Sequence, residues 1–151
     1  MPDIDNINKI LLNNIQINFP IDSRPFQIVA VKLGLTEDEV INRIRQMKEE
    51  MLIRRIGGNF SPDKLGYYST LCAARVPEEK IDFFTKTVNS YSGVTHNYQR
   101  DHGYNIWFTF IAPSVAIIEK SLKDISDATQ VEPILNLPAT KVFKISANFK
   151  V

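Results

Sequence analysis

The feature that most constrains this chain is the stretch Val94-Thr-His-Asn-Tyr-Gln-Arg-Asp-His-Gly-Tyr-Asn-Ile-Trp-Phe-Thr-Phe110. It contains both histidines of the protein and its only tryptophan, together with Tyr98, Tyr104 and Arg100. Runs rich in β-branched and aromatic residues flank Asp101-His102-Gly103, where glycine supplies the left-handed conformation of a three-residue loop. The segment therefore reads as a β-hairpin. If Arg100 pairs with Tyr104, strand alternation sets His96, Tyr98 and Arg100 on one face, opposite Tyr104, Ile106 and Phe108. An imidazole, a phenol and a guanidinium then converge on an aromatic and aliphatic wall, which suits a flat apolar ligand with carboxylates at its rim. A loop one residue longer would turn the second strand over. A plain surface hairpin also accounts for Asp101 and His102, and a core position accounts for Trp107.

With 151 residues and a formal charge of +1, the chain is long enough for one well-packed domain or two small ones. No apolar run approaches the ~20 residues that cross a bilayer, and Met1-Pro-Asp-Ile-Asp does not open a signal peptide. Cys72 is alone, which rules out an internal disulfide or a cysteine metal cluster and leaves a small buried hydrophobe. These features predict a soluble cytoplasmic protein that does not associate with membranes.

Residues 1–60 read as a winged helix-turn-helix. Asp3 is placed to cap a first helix with Ile4, Ile7, Ile10, Leu11 and Ile15 at helical spacing. Pro25 opens a second helix that carries Phe26, Val29 and Ala30 inward and stops at Leu33-Gly34. Thr36 and Glu39 form a capping box for a third helix striped by Val40, Ile44 and Met47. Leu52 to Phe60 then predicts a small hairpin, the wing, turning at Gly57-Gly58. Residues 61–151 follow a strand, helix, strand, strand, helix, strand order. These elements are Tyr67–Val76, a helix opened by Pro77, the hairpin, a helix from Pro113, and a closing segment with Ile134–Pro138 and an alternating run from Val142 to Phe149. The fold class is thus α+β, with a ferredoxin-like β-α-β-β-α-β domain whose helices cover one sheet face. The other face is left bare, which predicts a dimer that covers it.

A winged helix followed by a ferredoxin-like domain resembles the leucine-responsive/asparagine (Lrp/AsnC-type) regulators over the whole chain. Within that superfamily, several motifs look like those of the siroheme decarboxylases. They are Ile53-Arg-Arg-Ile-Gly57 with Phe60, Ser69-Thr-Leu-Cys-Ala-Ala74, His96-Asn-Tyr-Gln-Arg100, Tyr104-Asn-Ile-Trp-Phe-Thr109 and Leu135-Asn-Leu-Pro138. The resemblance implies a carboxy-lyase that removes CO2 from two acetate side chains of siroheme, giving 12,18-didecarboxysiroheme on an alternative route to heme or towards heme d1. It also implies a homologous second subunit in a heterodimer, or self-association as a homodimer. No cofactor is implied beyond the iron tetrapyrrole that is itself the substrate.

For that chemistry the protein must hold carboxylates, exclude water and deliver a proton to carbon, while the macrocycle absorbs the electron density left behind. Arg100 suits a carboxylate clamp, with Arg54 and Arg55 as further candidates. His96 and His102 are the available imidazole acids. One of them, His96 being the candidate, suits instead an axial position on the substrate iron. Tyr98, Tyr104, Asn105 and Trp107 complete the expected substrate-binding set. Two other classes compete: a DNA-binding regulator sensing a small molecule or tetrapyrrole, and a tetrapyrrole carrier without turnover. The helix from Thr36 to Met51 carries Glu37, Asp38, Glu39, Glu49 and Glu50 against Arg43, Arg45 and Lys48. An acidic tip of that kind is repelled by a phosphate backbone, so DNA is the weaker partner.

Overall fold

A computed structural model describes residues 4–58, 60–144 and 150–151. The chain divides into two compact units, Met1–Gly58 with Lys144–Val151, and Asn59–Phe143.

The first unit is a three-helix cluster of α1 (Asn6–Asn18), α2 (Pro25–Leu33) and α3 (Glu37–Glu49). Asp5 caps α1, its Oδ1 accepting from the Asn8 N–H at 2.7 Å. Asp3, the cap expected from sequence, lies outside the described residues. The Asn8 N–H bond, and then the Arg43 guanidinium, hold the Asp5 carboxyl below the usual carboxylate range. Pro25 opens α2 as expected, and Gly34 ends it in the left-handed region at φ 69°. Thr36 caps α3 through the Glu39 N–H at 3.2 Å. Leu11, Val29, Ala30, Val40, Ile44, Met47 and Ile53 form the core. Ile10, expected to face inward, is exposed, because the buried stripe of α1 is centred on Leu11.

The expected wing differs. Ile53 is buried and its N–H donates to the Met47 carbonyl at 3.0 Å, but residues 53–58 form no strand ladder among the described residues. Arg54, Arg55, Ile56, Gly57 and Gly58 are all exposed, so the apolar anchors stop at Leu52 and Ile53 and leave a hairpin that is marginal by itself.

The second unit is the expected α+β sandwich. An antiparallel sheet of β1 (Tyr68–Ala74), β2 (Val94–Gln99), β3 (Ile106–Ala112) and β4 (Ile134–Pro138) has the order β2-β3-β1-β4. Helices α4 (Ile81–Asn89) and α5 (Val115–Thr129) supply the second layer. Pro77 begins a short 3-10 turn, Glu78–Lys80, before α4, and Ser114 rather than Pro113 caps α5. Cys72, Ala74, Ile106, Phe108 and Phe110 meet Phe84 and Val88 of α4 and Ile118, Leu122 and Ile125 of α5 in one core. Each large apolar side chain buried there contributes roughly 1.5–3 kcal/mol. Burial pushes the Cys72 thiol up to about 12, so it packs as a hydrophobe. Gly93 before β2 admits no side chain, since a Cβ there would stand 2.3 Å from the Ile111 carbonyl oxygen. β4 is the Ile134–Pro138 part of the closing segment. Residues 145–149 of the run from Val142 lie outside the described residues, and residues 142–144 are not strand.

Candidate functional site

The hairpin exists, but its loop is one residue longer than the spacing predicts. The Arg100 N–H donates to the Asn105 carbonyl at 2.7 Å, and Gln99 pairs with Ile106, Tyr98 with Trp107 and Asn97 with Phe108. The loop is therefore Asp101–Tyr104. One residue of slip inverts every side chain of the second strand. Ile106 and Phe108, expected beside His96 and Tyr98, lie on the helix-covered face and are 0% and 1% exposed. Trp107 and Thr109 take their places beside the imidazole and phenol.

His96, Tyr98 and Arg100 share one face, as expected. The His96 and Tyr98 rings stack at 6.0 Å between centroids, and the Arg100 guanidinium lies over the Tyr98 ring at 5.6 Å. Arg100 makes no ion pair among the described residues. It is positioned by a ring rather than neutralised by a carboxylate, which leaves its charge for a ligand. These side chains line a cavity of about 380 Å³ together with Leu71, Trp107, Phe108 and Thr109. The face around it carries further apolar surface, with the exposed Leu71 opposite the exposed Leu137. Trp107 is fixed by its Nε1–H, which donates to the Tyr104 carbonyl at 2.7 Å.

A second irregularity lies at the other end of β2. Val94 pairs with Phe110 and His96 with Thr109, so Thr95 is an extra residue in a β-bulge. Thr95 Oγ1 stands 2.6 Å from Thr109 Oγ1 and 3.1 Å from His96 Nδ1. Thr109 Oγ1 is itself 3.5 Å from that nitrogen.

The remaining expected site residues are placed elsewhere. His102 sits in the loop, its Nδ1 accepting from the Tyr104 N–H at 3.0 Å while its ring stacks on Tyr104 at 6.5 Å. Tyr104 in turn lies under the Arg75 guanidinium, 5.5 Å away, and Arg75 Nε donates to the Gly103 carbonyl. Asn105 forms a bridge with Val76, whose N–H it accepts and whose carbonyl it meets, both at 2.8 Å. Asn105, and Tyr104 under Arg75, thus tie the hairpin end to the residues after β1, His102 packs on Tyr104, and none of the three lines the cavity. Arg54 and Arg55 belong to the first unit and are exposed there.

Sequence reasoning missed Leu71, Thr95, Thr109 and Arg75. Leu71 belongs to a nearly continuous apolar strand, where alternation is silent about facing. Thr95 and Thr109 meet only because of the bulge, which has no composition signal.

Among the described residues, no group of three or more His, Cys, Asp or Glu side chains is placed to hold a metal ion. One imidazole on an open face, His96, is nevertheless all that an iron already held by a macrocycle needs as an axial ligand. No helix among the described residues is long and apolar enough to cross a membrane.

A family model described as the AsnC-like ligand binding domain matches residues 64–144, and one described as the siroheme decarboxylase NirDL-like HTH domain matches residues 8–54. The chain is 50% identical over 151 residues to the siroheme decarboxylase alpha subunit of Desulfovibrio desulfuricans, covering 100% of this chain and 87% of that one. It is 49% identical over 149 residues to the alpha subunit of Oleidesulfovibrio alaskensis, covering 99% and 90%. Among solved structures it is similar to the siroheme decarboxylase NirDL in co-complex with an iron-uroporphyrin III analogue, with a TM-score of 0.69 and 27% identity. That match covers 94% of this chain and 48% of the other, so the chain spans about half the length of that protein.

Proposed function

The chain belongs to the siroheme decarboxylase family, and we propose that it is one subunit of an assembly that removes CO2 from acetate side chains of siroheme, giving didecarboxysiroheme. The observation that carries the reading is the cavity on the bare sheet face, where His96, Tyr98 and Arg100 run along one edge of an apolar floor that includes Leu71 and Trp107.

Loss of CO2 breaks the bond between the acetate methylene and its carboxyl carbon. The electron pair stays on the methylene, conjugated with the macrocycle, and one proton then completes a methyl group. This chain would bind the ring, anchor its acids and supply that proton. Trp107 and Leu71 suit the flat apolar macrocycle. Arg100 suits a carboxylate that remains on the substrate. A tight ion pair with the departing carboxylate would favour the ground state over a transition state in which that charge is disappearing. His96 is the cavity's imidazole, and its Nε2 has no hydrogen-bond partner among the described residues. It suits proton delivery, or a bond to the substrate iron in place of that role.

At about 380 Å³ the cavity is near the lower end of the roughly 300–1,000 Å³ usual for ligand sites. A tetrapyrrole with acidic side chains on every ring is larger, so a second surface must complete the enclosure. The relatives' designation as alpha subunits supports a homologous partner in that place. In the first unit Arg43 is engaged by Asp5 and Glu39, and Arg24 by Glu37, which lowers the positive charge available to a DNA backbone.

The test is anaerobic incubation with siroheme, with and without the homologous subunit, read by mass spectrometry. Loss of two carboxyl groups supports the decarboxylase. A changed absorption spectrum with unchanged mass would contradict it and indicate a tetrapyrrole carrier or sensor.

A further inference from the structure

We propose that Thr95, backed by Thr109, is a positioning residue for His96: the two hydroxyls hold Nδ1 of the ring and so present Nε2 as the nitrogen that meets the substrate. The proposal rests on the decarboxylase reading for its consequence, but its geometry stands apart from it.

A regular strand would turn Thr95 to the helix-covered face. The bulge at Val94–His96 instead makes Thr95 and His96 both oppose Thr109. Three polar groups then meet on the open face. The Thr95 and Thr109 oxygens are 2.6 Å apart, a short hydroxyl–hydroxyl bond, and Thr95 Oγ1 is 3.1 Å from His96 Nδ1. Thr109 Oγ1 approaches the same nitrogen at 3.5 Å, so both contacts fall on one edge of the ring. The stacked Tyr98 ring, 6.0 Å away, restrains the imidazole from the side. The ring's rotation about the Cβ–Cγ bond, and with it the choice of nitrogen facing the cavity, is thereby restrained.

The choice of hydroxyls matters chemically. A carboxylate at Nδ1 would only accept and would favour the charged ring throughout. A hydroxyl accepts from an Nδ1–H while donating its own O–H to the next hydroxyl, and with Thr109 as that acceptor Thr95 favours the ring that carries its proton on Nδ1. When the imidazolium gives its Nε2 proton to the methylene carbon, one N–H bond breaks and one C–H bond forms. The neutral ring keeps its Nδ1–H, and the bond to Thr95 Oγ1 persists unchanged. Thr109 accepts the Thr95 O–H in both states. The ring therefore delivers its proton without reorienting, the role that an orienting partner plays for catalytic histidines generally.

The substitutions that test this are Thr95→Val, which keeps shape but removes the hydroxyl, and Thr95→Ser, which restores it. Two measurements are made on the full chain with its partner subunit. The first is the 15N spectrum of the histidine rings with the label in this chain alone and His102→Gln as background, so that only His96 reports. Thr95→Val is expected to return His96 to the mixed tautomers of free imidazole, and Thr95→Ser to keep the parent spectrum. The second is steady-state decarboxylation of siroheme, where Thr95→Val should lower kcat roughly tenfold or more with KM unchanged and Thr95→Ser should recover it. An unchanged ring spectrum in Thr95→Val would overturn the proposal, whatever the activity. A changed spectrum with undiminished kcat would overturn its catalytic part. Inactivity of the parent protein with a changed spectrum in Thr95→Val would sink the decarboxylase reading instead, and leave Thr95 holding the ring.

Discussion

The two faces of strand β3 use the same kinds of residue for opposite ends. On one face Ile106, Phe108 and Phe110 are almost wholly buried under two helices. On the other, Trp107, Thr109 and Ile111 are half-exposed, with Leu71 and Leu137 of the neighbouring strands more exposed still. The first face binds the fold together and tolerates no polar group without a partner. The second is apolar but unfinished, and it is the face that carries the imidazole, the phenol and the guanidinium. Apolar surface that the fold itself does not consume is available to a ligand or a partner.

The sharpest way to break this contrast is to make the same kind of truncation on each face. Phe108→Ala should cost about 3–5 kcal/mol and unfold the second unit well below the parent melting temperature. Leu71→Ala, at a position already 39% exposed, should cost far less in stability and appear mainly as weaker siroheme binding. Similar losses of stability in thermal melts of the two variants would erase the distinction.

Arg100→Ala should leave folding intact and weaken siroheme binding by about 1.5–3 kcal/mol, the usual worth of hydrogen bonds to a charged group. Absorption titration checks this, and unchanged affinity would remove Arg100 from the site. His102→Ala should be milder. It removes one loop hydrogen bond, worth about 0.5–1.5 kcal/mol of stability, and should leave turnover near the parent value. A collapse of activity in that variant would mean that the loop, and not the strand, carries the acid.

Much of this arrangement was legible in the sequence. The capping box at Thr36 and Glu39, the proline at the start of α2 and the order of strands and helices follow from local chemistry and hydrophobic spacing. So does the sharing of one face by His96, Tyr98 and Arg100, because alternation within a single strand does not depend on a neighbour. What failed was register. Gly103 suggested a three-residue loop, yet the loop closes over four residues, with the Asn105 side chain spent on Val76 and Arg75 pinned to the Gly103 carbonyl. Those contacts come from the residues just after β1, 28 or 29 positions away, and leave no local trace. The wing failed for the opposite reason: its glycines suit a turn, but among the described residues only Leu52 and Ile53, at its start, pack on a core. Thr95 and Thr109 were out of reach because a bulge is decided by the pairing of two strands.

The claim at the centre is that the bare sheet face, through His96, is where CO2 leaves siroheme. The most direct measurement replaces His96 alone. Siroheme is incubated anaerobically with the assembly carrying His96→Ala in this chain, and product mass and circular dichroism are recorded beside the parent. The account predicts an intact fold and a rate lower by about 10²- to 10⁴-fold, the usual contribution of a positioned acid or base. Parent-level formation of didecarboxysiroheme by the His96→Ala assembly, with the partner subunit inert by itself, would contradict it.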